Sequence, residues 1–177
     1  MQHDVTIELL ARAPLFRGLG GELLGKLSRG GTLLRFRAEQ PITSAGLAAD
    51  AALFFISGSA KLQDRTGRDL GQNVGPGSML CEMAMLVETS HVHGAVALDD
   101  VTILSISRET IGRLMAVEPA LADILTRNIR HNLAVTAEKL RELDRQLSEP
   151  IGNFLIPDDA GDAAGPVGDV AGKSSKA

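Results

Sequence analysis

The sequence holds one cysteine, no tryptophan, no tyrosine and only five phenylalanines in 177 residues. A single thiol cannot close an internal disulfide, which fits a reducing compartment. With aromatics so scarce, a core has to be assembled from Leu, Val, Ile, Ala and Met. No apolar run reaches the roughly 20 residues needed to cross a bilayer. The opening Met1-Gln2-His3-Asp4 has neither the basic n-region nor the apolar h-region of an export signal. Basic residues are also in deficit, 18 Lys and Arg against 22 Asp and Glu, for a net charge of −4. An acidic balance argues against nucleic acid as a partner, because that partner demands a basic face. The length suits one domain with appendages, and these absences together describe a cytoplasmic one. No nucleophile–base elbow, no glycine-rich phosphate loop with its lysine and no paired-carboxylate motif is found, so neither an enzyme nor a bound cofactor is expected.

The chain itself changes periodicity three times. Residues 1–29 read as a helical lead-in: Val5 to Arg12 carries Ile7, Leu9 and Leu10 at helical spacing, and Leu23, Leu24 and Leu27 share one face of a second short helix. From residue 30 to 116 the pattern becomes short β segments broken by Gly, Pro, Asn and Asp. Among them Ala51 to Ser57, almost wholly apolar, is expected to be a buried strand. Val92 to Leu98 and Val101 to Ile106 form a last hairpin. Many short strands at even spacing argue for a closed β sandwich or jelly roll. Ser107 is a good N-cap for a helix running to about Val117. Residues 117–149 then form one long helix, opened by Pro119. Along it Ile129, Leu133, Thr136, Leu140, Leu143 and Leu147 are spaced by four, three, four, three and four residues. That is an a/d seam, and its later heptads are expected to meet a second copy of the chain. Residues 150–177, rich in Gly, Ala, Asp and Ser, read as a flexible tail.

The stretch that organises the chain runs from Val74 to Asp100. The turn Gly75-Pro76-Gly77 ends an apolar run and leads to a short helical patch at Glu82 to Leu86. A turn opening onto a helix leaves backbone N–H groups free to receive an anion such as a phosphate. A carboxylate beside it can accept hydrogen bonds from a sugar hydroxyl. The residues Leu80-Cys81-Glu82-Met83-Ala84-Met85-Leu86, followed by His91-Val92-His93-Gly94-Ala95, resemble the phosphate-binding cassette of cyclic nucleotide-binding domains. That family's pattern is roughly F-G-E-[LM]-A-L-[LI], a variable loop, then R-[AST]-A-x-V. Three further strings extend the resemblance to about Leu10–Leu147: A-P-L-F-R-G-L, F-F-I-S-G-S-A-K-L and V-A-L-D-D-V-T-I-L-S-I-S-R-E-T. The chain is thereby identified as similar to the Crp/Fnr superfamily of catabolite-activator-type regulators. The implied fold is a mainly β, double-stranded β-helix jelly roll with N-terminal helices and a long C-terminal dimerisation helix. Members that regulate transcription carry a helix-turn-helix domain after that helix. The residues past Ser148 are too few and of the wrong kind for one, so direct DNA binding is not expected.

The resemblance also assigns a ligand site: Leu80, Cys81, Glu82, Met83, Ala84, His91 and Val92 in the cassette, and Thr136 in the long helix. Glu82 stands at the position that takes the ribose hydroxyl. Two positions depart from the pattern. Cys81 replaces a glycine, whose value is unusual backbone angles and close approach. His91 replaces an arginine, whose guanidinium is always charged and forks onto phosphate oxygens. An imidazole with a reference pKa of about 6.5 is mostly neutral at pH 7. Trading a charge-assisted fork for one donor should cost on the order of 1.5–3 kcal/mol, or roughly ten- to a hundredfold in affinity. Thr136 lies in V-T-A-E-K, similar to V-T-S-E-K of the family's long helix, where the Thr-Ser pair contacts the purine. Two readings of Thr136 stand side by side, a purine contact and a small β-branched residue tolerated in the seam.

The residues therefore support a stand-alone cyclic nucleotide sensor that binds cAMP or cGMP, dimerises through its long helix and signals through a protein partner. The alternative is a degenerate, ligand-free domain of the same fold that acts as a dimeric interaction module. A third reading uses Cys81 at a helix N-terminus as a reactive thiol, or His91 and His93, two apart on a strand, as a metal or haem site.

Overall fold

In the structure, a computed structural model, residues 2–148 are described. The tail expected at 150–177 and the helix stop at Glu149-Pro150 lie outside the described residues. Packing divides the chain between Glu138 and Lys139. The first unit begins with helix α1 (Gln2–Arg12), a 3₁₀ turn at Pro14–Phe16 and helix α2 (Gly21–Gly30). Ten antiparallel strands follow: β1 (Thr32–Phe36), β2 (Pro41–Thr43), β3 (Ala48–Ala49), β4 (Ala51–Ser57), β5 (Ala60–Gln63), β6 (Asp69–Val74), β7 (Met79–Leu80), β8 (Thr89–Ser90), β9 (Gly94–Ala97) and β10 (Val101–Ser107). Helix α3 (Arg108–Val117) and helix α4 (Pro119–Ser148) complete the order.

The strands make two four-stranded sheets, β1-β10-β4-β7 and β2-β9-β5-β6, and a small β3-β8 pair. This is the jelly roll expected from the sequence. Strand β4 shows why its residues read as one apolar run. Its side chains alternate between two separate cores. Ala52, Phe54 and Ile56 face a cluster with Leu10, Phe16, Leu24, Leu27, Ile111, Leu121 and Leu125 of the helices. Leu53 and Phe55 face a second cluster inside the roll, with Leu62, Ala95, Ala97, Val101 and Ile103. Strand β10 divides the same way, Leu104 and Ile106 toward the helices and Val101 and Ile103 toward the roll. Burying six consecutive residues of β4 on two faces leaves no polar side for alternation to reveal.

Local chemistry fixes the joints. Gly58, at φ +78°, turns β4 into β5, and a Cβ there would meet the Asp100 carbonyl oxygen at 2.4 Å. Asp64 folds the β5–β6 hairpin by accepting the Thr66 N–H at 2.7 Å. The Ser107 hydroxyl accepts the Thr110 N–H at 3.1 Å, capping α3 as its sequence position predicted. The expected last hairpin is not formed: its two arms are consecutive strands in different sheets, β9 between β2 and β5 and β10 between β1 and β4, as the two layers of a roll require. The first arm also starts at Gly94 and not Val92, and residues 92–93 form a bend. In the second unit, the described part of α4 carries Leu140, Leu143 and Leu147 exposed.

Candidate functional site

The cassette is built outward from β4. Phe55 donates its N–H to the Ser78 carbonyl and receives the Gly77 N–H on its own carbonyl, both at 2.9 Å. This seats the glycine turn on the strand. Leu80 then pairs with Leu53 and packs, half-buried, against the core inside the roll. At Cys81 the backbone enters the left-handed region, φ 54° and ψ 42°, and reverses into a 3₁₀ turn at Glu82–Met85. An L-residue there costs about 1–2 kcal/mol relative to the right-handed conformation. The turn closes when Ala84 donates its N–H to the Cys81 carbonyl at 2.9 Å. Ala84 and Met85 point inward and are fully buried, while Glu82 and Met83 point outward.

Arg108, the first residue of α3, pins this turn in place. Its Nε donates to the Ala84 carbonyl at 3.2 Å, a terminal nitrogen donates to the Ala49 carbonyl at 3.3 Å, and the Glu88 carboxylate lies 3.7 Å from the other. Its own N–H donates to the Asp50 carbonyl at 2.9 Å. Sequence reasoning missed this residue. The signal was there: a cation in the first turn of a helix opposes the helix dipole and calls for a compensating partner.

His91 sits just past β8. Its N–H donates to the Leu47 carbonyl at 2.9 Å and its carbonyl receives the Gly46 N–H at 2.8 Å, prolonging the β3–β8 ladder. The ring is half-buried, and burial pushes its pKa below the ordinary histidine value, with Asp50 pulling weakly the other way. Burial therefore favours the neutral form of the unliganded imidazole. The Cys81 thiol approaches the Ser90 carbonyl at 3.7 Å, so Cys81 and His91 flank one corner of the cassette. Burial pushes the Cys81 thiol up, the opposite of the lowered pKa that marks a reactive cysteine. Val92 is 74% exposed. Because residues 92–93 are a bend, the idea that His91 and His93 share a strand face is corrected. Among the described residues no three His, Cys, Asp or Glu side chains are grouped to hold a metal.

Glu82 and Met83 share a cavity of about 120 Å³ with Ile129, Asn132, Leu133 and Thr136 of α4. The fold thus unites Glu82, Met83 and Thr136, which lie far apart in sequence. It leaves Leu80, Cys81, Ala84, His91 and Val92 outside that cavity. Complete small-molecule pockets measure roughly 300–1,000 Å³, so this space alone is smaller than such a pocket. Within the structure the Glu82 carboxylate has no hydrogen-bond partner among the described residues. Thr136 donates its hydroxyl hydrogen to the Asn132 carbonyl at 2.9 Å. Asn132 was not singled out from sequence, although a residue four before Thr136 lies on the same helix face.

A jelly roll with a capped cassette and a carboxylate facing a helix defines a class, and comparison with known proteins agrees. The model of the cyclic nucleotide-binding domain matches residues 33–118. A cyclic nucleotide-binding-like protein from Brucella abortus is 32% identical, with a TM-score of 0.58 over 63% of this chain and 97% of that one. The chain belongs to the cyclic nucleotide-binding domain family, in its Crp/Fnr-type branch. The catabolite activator protein of Thermus thermophilus is 28% identical with a TM-score of 0.59, covering 76% of this chain and 61% of its own length. The N-terminal domain of a transcriptional regulator from Streptomyces coelicolor shares the fold at 23% identity, with a TM-score of 0.68 over 75% of this chain and 94% of that one. No curated protein matches the chain.

Proposed function

We propose that the chain is a cyclic nucleotide sensor that binds cAMP or cGMP in the cassette and passes the signal to a partner protein. The ribose hydroxyl meets Glu82, the phosphate meets His91 beside Cys81, and the purine lies toward Thr136. The observation that carries this reading is the Glu82 carboxylate, free of any described partner, facing Thr136 across a shared cavity. Bound phosphate favours the imidazolium, so binding recruits a proton to His91. The cavity lies between Glu82 and α4, so a purine held there touches cassette and helix at once and couples the two. Such a shift is a signal only through differential affinity for two states.

A second copy is the proposed partner of α4. Leu133 is 65% exposed in the first unit, and Leu147 is 86% exposed in the second. Leucines repeated at seam spacing and left in water favour burial against an equivalent helix. Calorimetric titration of the protein with cAMP and cGMP at pH 6 and pH 8 tests the reading. Saturable heat that is stronger at pH 6 supports it. Absence of heat and of any thermal shift at millimolar nucleotide favours the second reading, a ligand-free interaction module. The left-handed backbone at Cys81 and the burial that disfavours a charged His91 stand on that side.

A further inference from the structure

Strand β1 lies at the end of its sheet and pairs with one neighbour, β10. Its two faces differ. Leu34 and Phe36 pack against the core inside the roll. Alternation puts Leu33 and Arg35 on the opposite face, where Leu33 is 50% exposed and Arg35 is exposed too. Arg37, exposed just past the strand end, lines the same cavity as Arg35. That cavity measures about 530 Å³ and has Gln40, Asp100 and Thr102 among its walls. Neither guanidinium has a hydrogen-bond or ion-pair partner among the described residues.

The turn after β1 marks where the open edge stops. Gln40 donates its N–H to the Arg37 carbonyl at 3.1 Å and accepts the Arg37 N–H on Oε1 at 2.7 Å. The Arg37 backbone is thereby committed, while the Gln40 NH₂ group has no partner among the described residues. Glu39 donates its N–H to the Ala97 carbonyl at 2.8 Å, which fastens the turn to β9. From Thr32 to Phe36 the backbone ladder runs to β10 alone, and among the described residues nothing bonds to the backbone on its outer side.

An open strand edge takes an extended segment by strand addition. Backbone bonds hold the segment, and its alternate side chains meet the face of the receiving strand. Here that face offers two guanidiniums two positions apart and a carboxamide donor beside them. A guanidinium forks onto a carboxylate through two parallel bonds. Asp100 is the one carboxylate in the cavity lining and is outnumbered by the two arginines. On a chain of net charge −4, the patch selects for acid.

We infer that the outer edge of β1 docks an extended acidic segment of a partner protein, added to the sheet as a further strand with carboxylates two residues apart on Arg35 and Arg37. The inference stands apart from the sensor reading. Strand β10, which the docked strand would reach through β1, leads directly into Arg108 and its bond to the cassette.

The probe is the fluorescein-labelled peptide Thr-Val-Glu-Val-Glu-Val-Thr, titrated with the full chain and read by fluorescence anisotropy. One companion peptide has Gln for both Glu. Another keeps the charges but has its Val and Glu amides N-methylated, which removes the backbone donors. The wild type should bind the acidic peptide saturably below about 1 mM. The Gln peptide, and the Arg35→Thr, Arg37→Thr double variant, should each show binding weakened by about tenfold or more. The N-methylated peptide should not bind. Both arginines are exposed and Thr suits a strand, so the variant is expected to fold, and thermal unfolding checks this. The peptide changes test the same contacts on the unaltered chain. No saturable binding by the folded wild type overturns the inference. Equal binding of the Glu and Gln peptides overturns the role of the arginines, and binding that survives N-methylation overturns strand addition. Displacement of the peptide by inorganic phosphate at matched ionic strength marks a plain anion site and overturns it as well. Charges on an edge strand also keep copies of a chain apart. A double variant that self-associates in light scattering, beside a wild type that ignores the peptide, assigns the arginines to that duty and overturns docking.

Discussion

The two ends of the cassette are unequally prepared for a nucleotide. At the Glu82 end, a partnerless carboxylate, a threonine hydroxyl and a free carboxamide converge on one cavity without strain. At the Cys81 end, a side chain occupies a left-handed position suited to glycine, and burial of a histidine disfavours its charged form. Groups that recognise sugar and base cost little to hold ready. A group that recognises phosphate must carry charge, and charge is what burial opposes. If the chain binds a nucleotide as proposed, the comparison places the expected loss of affinity at the phosphate end and not at the other.

The largest expected effect removes the prepared end. Glu82→Ala should weaken cyclic nucleotide binding by about a hundredfold, the upper range for a hydrogen bond to a charged group, with unchanged thermal stability. Titration calorimetry and unfolding of the free protein separate the two. Repair of the other end comes next. His91→Arg should tighten binding by about tenfold and flatten its dependence on pH, because a guanidinium needs no proton from solvent. The wild type should bind more tightly at pH 6 than at pH 8 and take up a proton. Calorimetry in buffers of different ionisation enthalpy reads that proton directly.

Two smaller effects concern stability alone. Cys81→Gly relieves the left-handed strain but frees the unfolded chain, for a net gain of about 0.5–1 kcal/mol. A higher urea midpoint at constant slope is the expected result. The last follows from the lowered His91 pKa. The folded form binds this proton less readily than the unfolded form, whose histidine titrates at about 6.5. The contribution is fully present above that value and is lost as pH falls through it toward the folded pKa. Urea unfolding at pH 7.5 and pH 5.5 should therefore show a smaller acid loss for His91→Gln than for wild type.

What could be read from the sequence depended on whether the partner was local. Ser107 caps its own helix three residues on, and Ala51–Ser57 is apolar because both faces are covered; each announces itself in a short window. Cys81 was legible only as the occupant of a glycine position, and the structure adds the angle that makes this costly. The pairing of His91 with His93 failed for a physical reason. Strand β8 has two residues, held by Ala48 and Ala49 some forty positions earlier, so no periodicity around residue 91 reports where the ladder ends. Arg108 and Asn132 each left a faint local signal, but their partners could not be read from it for the same cause. The guanidinium of one reaches carbonyls at positions 49 and 84, and the other gains meaning only when Glu82 is brought across from the cassette.

Strand β4 serves as a party wall, with Phe54 furnishing one room and Phe55 the other. Inserting or deleting one residue within it would exchange the two tenants and every neighbour beyond them. A change of length in this strand, or in β10, which divides its residues in the same way, would therefore scramble both cores. The same change at the exposed Arg65–Gly67 tip of the β5–β6 hairpin would touch neither room.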